Sequence, residues 1–184
     1  MSYVCDSCGG LGCGECIRNR EEKLEMRHSD YLDKAYQAAE MFSGCTKVKV
    51  GSLIYDERYC KIVSMGANRT YPDDCYTKGC LRMAKYGDDK KSHRAPGDCR
   101  AVHSEIDAIS RIRFNEYVVG KNDLTIYVTR YPCENCARAI VSAGIKKVVY
   151  GNAQEITVET KKIFNYGGVK VIWLETYLTK DVFH

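Results

Sequence analysis

"LTIYVTRYPCENCARAIVSAGIKKVVYG", residues 124–151, decides the fold. Its first seven residues, rich in β-branched and aromatic side chains, read as a strand. Pro132 ends that run, "ENCARAIVSAG" reads as a helix, and "KKVVYG" reads as a second strand. Working outward, a helix over about 156–166 and a strand "VKVIWL" follow, and a helix over about 102–115 precedes. Strands alternating with helices predict an α/β sheet covered on both faces.

Further upstream, "SDYLDKAYQAAEMFSG" reads as a helix with Ser29 as N-cap and Gly44 as stop. Its residues Leu32, Ala35, Tyr36, Ala39 and Phe42 recur at three and four, so one face packs. "VKVGSLIYD" and "CKIVSMG" read as strands joined by a charged turn at Asp56–Arg58. Residues 67–99 show little periodicity, too long a stretch for an idle loop, and are expected to be pinned or functional. At the other end, "CDSCGGLGCGEC" stands apart in composition and "IRNREEKLEMRH" reads as a link. The expected division is an appendage and linker over 1–27 and a catalytic domain over 28–184.

Bulk properties narrow the class. The 184 residues are 45% hydrophobic and 28% charged, ordinary for one globular domain. No apolar run reaches membrane-span length and no signal-peptide core opens the chain, so a cytoplasmic location and no membrane partner are expected. A net charge of +4 suits a phosphorylated small molecule and is small for a nucleic-acid binder. The 11 cysteines, in a chain without a secretory signal, favour metal over disulfides.

Cys133 and Cys136 lie three apart at the start of the 134–144 helix, where partial positive charge favours thiolates. With His103 as third ligand, a tetrahedral zinc keeps its fourth position for water, as catalytic sites do. Glu105 then has work as a proton acceptor and donor. Singly these features are ambiguous: a lone His at a helix start is more often a cap, and a lone C-x-x-C more often a structural zinc or redox site. Spacing alone does not put His103 and Glu105 on one face of a regular helix.

The order H-x-E, then P-C-x-x-C beyond a strand, is the signature of zinc nucleobase deaminases. Here the chain resembles the cytidine deaminase superfamily and, within it, the dCMP deaminases, over about residues 29–174. "HSEIDAI" stands where that family usually has H-A-E-x-N-A-I, and "GANRTYPDDCYTKGCLR" with "CRAVHSE" resembles bacterial and phage members. The resemblance implies a three-layer α/β/α sandwich with a mixed central sheet. It implies His103, Cys133 and Cys136 as zinc ligands and Glu105 as proton shuttle. Asn68 would hold the sugar or phosphate, and Tyr131 would stack on the pyrimidine or simply pack. The implied reaction is hydrolysis of dCMP to dUMP and ammonia. A homo-oligomer, hexameric as in relatives, and regulation by dCTP or dTTP with accompanying magnesium also follow from it. Two departures stand out: "GANR" at Gly66–Arg69 for the usual G-Y-N-G, and Asp107 for the usual Asn.

Cys45, Cys75, Cys80 and Cys99 suit a closed tetrahedral site that would pin the 67–99 segment, with His93 as a substitute ligand; buried free thiols are the alternative. Some relatives carry a second, structural zinc there. Cys5, Cys8, Cys13 and Cys16 form two C-x-x-C pairs that suit one ion, an iron–sulfur cluster or a cysteine-rich tail. Cys60 is left over as a packed strand residue. Other functions remain open at this level: deamination of cytidine, dCTP or a base in RNA, or a non-catalytic zinc-stabilised binding protein.

Overall fold

A computed structural model describes residues 14–70, 73–87, 99–112, 123–152 and 156–174, with side chains from residue 27 onward. In chain order the elements are α1 (Gly14–Phe42), β1 (Gly51–Asp56), β2 (Lys61–Ala67), α2 (Cys75–Lys78), α3 (Leu81–Tyr86) and α4 (Ser104–Ser110). There follow β3 (Leu124–Arg130), α5 (Glu134–Ser142), β4 (Lys147–Asn152), α6 (Val158–Gly167) and β5 (Lys170–Trp173). The strands form one sheet in the order β2-β1-β3-β4-β5. β1 runs antiparallel to both its neighbours, while β3, β4 and β5 are parallel and joined through α5 and α6. The mixed sheet and the α/β/α layering are as the sequence predicts.

Alternation along the strands builds two cores. Ile54, Ile126, Val128 and Val148 point to the face packed by α4, α5 and α6, meeting Ala108, Ala137, Ile140 and Phe164. Leu53, Tyr55, Tyr127 and Val149 point the other way, onto Leu32 and Ala35 of α1. Each such fully buried aliphatic side chain contributes roughly 1.5–3 kcal/mol. The hairpin between β1 and β2 turns at 57–60, where Cys60 takes φ 51 and lies exposed; it is a turn residue, not a packed strand residue.

Two boundaries differ from the sequence reading. α1 begins at Gly14, so Ser29 lies inside it and the 17–28 stretch is helix, not link. "REEKLEMR" is made of strong helix formers, and nothing in it breaks the backbone ladder. α4 is short: its last turn tightens as the Arg111 and Ile112 amides bond the Ala108 and Ile109 carbonyls. The N-terminal Cys5, Cys8 and Cys13, the Cys16 side chain and His93 lie outside the described residues.

Candidate metal centre and active site

Two helix starts converge. β3 carries the chain to Arg130, and beyond Pro132 Cys133 occupies the N-cap of α5 with extended backbone (φ −74, ψ 171). Cys136 sits in the first turn, fully buried. His103 occupies the N-cap of α4, also extended (φ −69, ψ 150). This removes the spacing difficulty, because His103 stands outside the helix that Glu105 belongs to. An antiparallel bridge between Arg69 and Val102 fixes the approach of His103 from the segment after β2.

His103 Nδ1 lies 3.5 Å from Cys133 Sγ and 3.4 Å from Cys136 Sγ. Tetrahedral zinc, with bonds of about 2.3 Å to sulfur and about 2.0 Å to nitrogen, sets such donors about 3.5 Å apart. The donor set therefore fits zinc in chemistry and in spacing. Among the described residues, only these three bring histidine, cysteine or carboxylate donor atoms within 4.8 Å of one another.

The charges are arranged for metal. A hydrogen bond from Cys136 outweighs burial and, with help from His103, brings the Cys133 thiol down to about 4. The same bond, burial and the nearby Glu105 carboxylate push Cys136 far up. The bond to Cys133 raises His103 above its ordinary value, against burial. Glu105 is 4% exposed, and burial pushes its carboxyl up against the opposing pull of His103 and Ser104. A carboxyl shielded from water and raised in this way is suited to carry a proton both ways.

The expected substrate residues are placed differently from each other. Asn68 ties the 43–50 loop to the end of β2: its Oδ1 accepts from the Val50 amide at 2.8 Å and the Ser43 hydroxyl at 2.7 Å, and its Nδ2 donates to the Val48 carbonyl at 2.8 Å. These bonds shape the 43–50 loop and use one of the two Nδ2 protons. Tyr131 is half-buried and packs edge-on against Tyr150 and Phe164.

Cys45, Cys80 and Cys99 come within electrostatic reach of Cys75: burial pushes the Cys75 thiol up and the other three add to it. The Cys75 amide bonds the Gly44 carbonyl at 2.9 Å, joining two of the segments involved. All four are free thiols; Cys75 and Cys80 are within hydrogen-bond reach, but no three of the four bring their sulfurs within 4.8 Å of one another.

The sequence reading passed over two site neighbours. Ser104 donates to Glu105 Oε2 at 3.1 Å, and Ser52 on β1 lies 2.7 Å from Ser104 Oγ. Ser104 carried a signal, as a departure from the usual alanine. Ser52, on a strand from a distant part of the chain, carried none.

The fold is that of a dCMP deaminase from cyanophage S-TIM5 solved with dCMP and dUMP (TM-score 0.57, 21% identity, covering 78% of this chain and 93% of that one). Deoxycytidylate deaminase of Mycobacterium phage D29 is 31% identical over 61% of this chain and 85% of its own length. The deoxycytidylate deaminase of Saccharomyces cerevisiae is 31% identical over 77% of this chain, which spans only 43% of that relative's length. Residues 26–176 match the model of the MafB19-like deaminases, and they hold the converging helix starts, the histidine–cysteine donor set and the buried glutamate, so the chain belongs to that family.

Proposed function

We propose that this protein hydrolyses dCMP to dUMP and ammonia. The observation that carries the reading is the His103–Cys133–Cys136 triangle with a buried glutamate beside it, in a chain of this family. His103, Cys133 and Cys136 would hold the zinc, which when bound supplies Lewis acidity that makes water nucleophilic near neutral pH. Glu105 accepts the proton of the water that adds at C4 of the cytosine ring. It then delivers protons to the ring nitrogen and the leaving amino nitrogen, and ammonia departs as the carbonyl forms. The fixed extended backbone at His103 and Cys133 holds the ligands while Glu105 works from the first turn of α4.

The phosphorylated substrate rests on the relatives' names and on a modest net charge of +4, which suits a nucleotide better than a polynucleotide. Arg69, in the segment that relatives use for regulatory nucleotides, is engaged with Asp107 at 3.2 Å, so the reading includes neither dCTP or dTTP control nor magnesium. A structural zinc on Cys45, Cys75, Cys80 and Cys99 belongs to the same reading and would draw the 67–99 segment onto the end of α1.

Ammonia release from dCMP, beside cytidine, dCTP and single-stranded oligonucleotides, tests the activity with Glu105→Ala as blank. Turnover of dCMP that vanishes in the variant supports it. Turnover of another of these compounds alone would replace the substrate, and none at all would favour a zinc-stabilised binding protein. Metal analysis of a chain trimmed to residue 27 onward is expected to give two zinc ions, and one after Cys75→Ser.

A further inference from the structure

The departure at Ser104 joins a buried chain of hydroxyls. Ser52 and Ser104 are fully buried and Glu105 is 4% exposed. Ser104 has one hydroxyl proton, and it is donated to Glu105 Oε2 at 3.1 Å. At 2.7 Å from Ser104 Oγ, the Ser52 hydroxyl must then be the donor of that second bond. With Glu105 ionised, donation runs one way: Ser52 to Ser104, Ser104 to Glu105. Hydrogen bonds aligned head to tail polarise and strengthen one another.

The register of the sheet makes this contact. Gly51 turns toward α1, where a Cβ would stand 2.0 Å from the Ala35 carbonyl oxygen. Ser52 therefore faces the opposite side, toward α4. Gly66, its partner on β2, leaves room for α4 to come down: a Cβ there would stand 2.4 Å from the Ser104 carbonyl oxygen. The first turn of α4 is thus seated against β1 and β2, with Ser104 between the sheet and the carboxylate.

We infer that Ser104 and Ser52 are positioning residues, a two-hydroxyl strut from the sheet that holds one oxygen of Glu105 and leaves the other to face the reacting atoms. Where relatives carry alanine this strut is missing, and Glu105 there must be oriented by other groups. The inference rests on the proposed deamination for its catalytic meaning, while the strut itself is a matter of geometry.

Steady-state kinetics and crystal structures of Ser104→Ala, Ser52→Ala and the double variant test it. Alanine is the family's usual residue at 104, so that variant is expected to fold. Ser104→Ala is expected to lower kcat on dCMP about tenfold, the worth of one hydrogen bond to a charged group, with KM within about twofold. Ser52→Ala is expected to lower kcat about threefold, and the double variant no further than Ser104→Ala, since Ser52 acts only through Ser104. The Glu105 carboxylate is expected to rotate in the Ser104→Ala crystal. An unchanged kcat with Glu105 in place would overturn the inference, as would effects that multiply in the double variant. If the unmodified enzyme proves inactive on every cytosine compound, the functional reading falls on its own. The strut then stands or falls by whether Glu105 moves in the Ser104→Ala crystal.

Discussion

At the scale of single residues, the converging donors His103, Cys133 and Cys136 were legible because their chemistry is short-ranged and their order along the chain is distinctive. Asp107 was not, because its meaning lies in a contact. It replaces a neutral residue in a buried place, and the structure supplies the compensation: Arg69 Nε stands 3.2 Å away and Arg111 Nη2 3.0 Å away, and the Ala67 amide donates at 3.1 Å. Arg69 also lies over the Phe42 ring, 5.7 Å from its centre. Two departures that look unrelated in the sequence, Asp107 and the arginine of "GANR", are thus partners. Removing only the charge leaves a guanidinium without its counter-ion, so Asp107→Asn is expected to cost about 2 kcal/mol. For a chain of this size that lowers Tm by about 4–8 °C. Arg69→Gly should then cost less in the Asp107→Asn background than alone, which urea unfolding of the four proteins would reveal. Equal costs in both backgrounds would mean the pair contributes nothing.

At the scale of elements, strands and helices followed from periodicity, whereas their seating did not. The pattern "VKVGSLIYD" announces a strand, yet it cannot say that Gly51 is where α1 crosses it. Nor does "CKIVSMGANR" say that Gly66 lies under α4, where a Cβ would be 2.4 Å from both the Ala108 amide nitrogen and the Ser104 carbonyl oxygen. Those atoms are backbone and cannot swing aside, so a methyl group there must lift the helix. His103 and Glu105 ride on that helix start, and the ligand triangle tolerates little displacement. Gly66→Ala is expected to lose zinc as well as stability, with kcat reduced by about 10²-fold, the order expected for misplacement of about 1 Å. Zinc content and kcat of the soluble fraction are the measurements; wild-type values for both would show that α4 does not bear on β2 so closely. The same limitation explains the misread start of α1. Helix formers without a breaker continue a helix, and a plausible cap such as Ser29 inside them marks nothing.

At the scale of the whole molecule, the layering was readable because alternation in the strands assigns each side chain to a face. What holds α1 to its face includes a polar contact that no pattern announces. His28 is 4% exposed, and its Nδ1 lies 2.9 Å from the Tyr127 hydroxyl of the central strand β3. Its Nε2 is buried without a partner among the described residues. Burial pushes its pKa below the ordinary 6.5, Lys147, Arg27 and Lys170 add to the depression, and Glu57 opposes it. In the unfolded chain His28 takes up a proton near 6.5, whereas in the folded protein it does so only at lower pH. Below 6.5 the unfolded state therefore binds more protons, and stability falls as pH falls. Glu57 behaves similarly at lower pH: burial raises its carboxyl, but hydrogen bonds from Lys147 and Thr125 prevail and hold it below its ordinary value. Its contribution is present above the ordinary carboxylate range and is lost as pH drops through the depressed value. The His28 and Glu57 windows separate, but Cys133, held down to about 4 in the folded protein, also carries its proton only in the unfolded chain just below pH 6.5. The histidine's share of the decline there is the part of the slope lost with it, at most about 1.4 kcal/mol per pH unit for one proton. His28→Asn, which cannot titrate there, is expected to flatten that decline in urea unfolding between pH 6.5 and 5.5 while leaving the steeper acid loss in place. An identical slope in the variant would place the proton uptake elsewhere and leave α1 docked independently of its histidine.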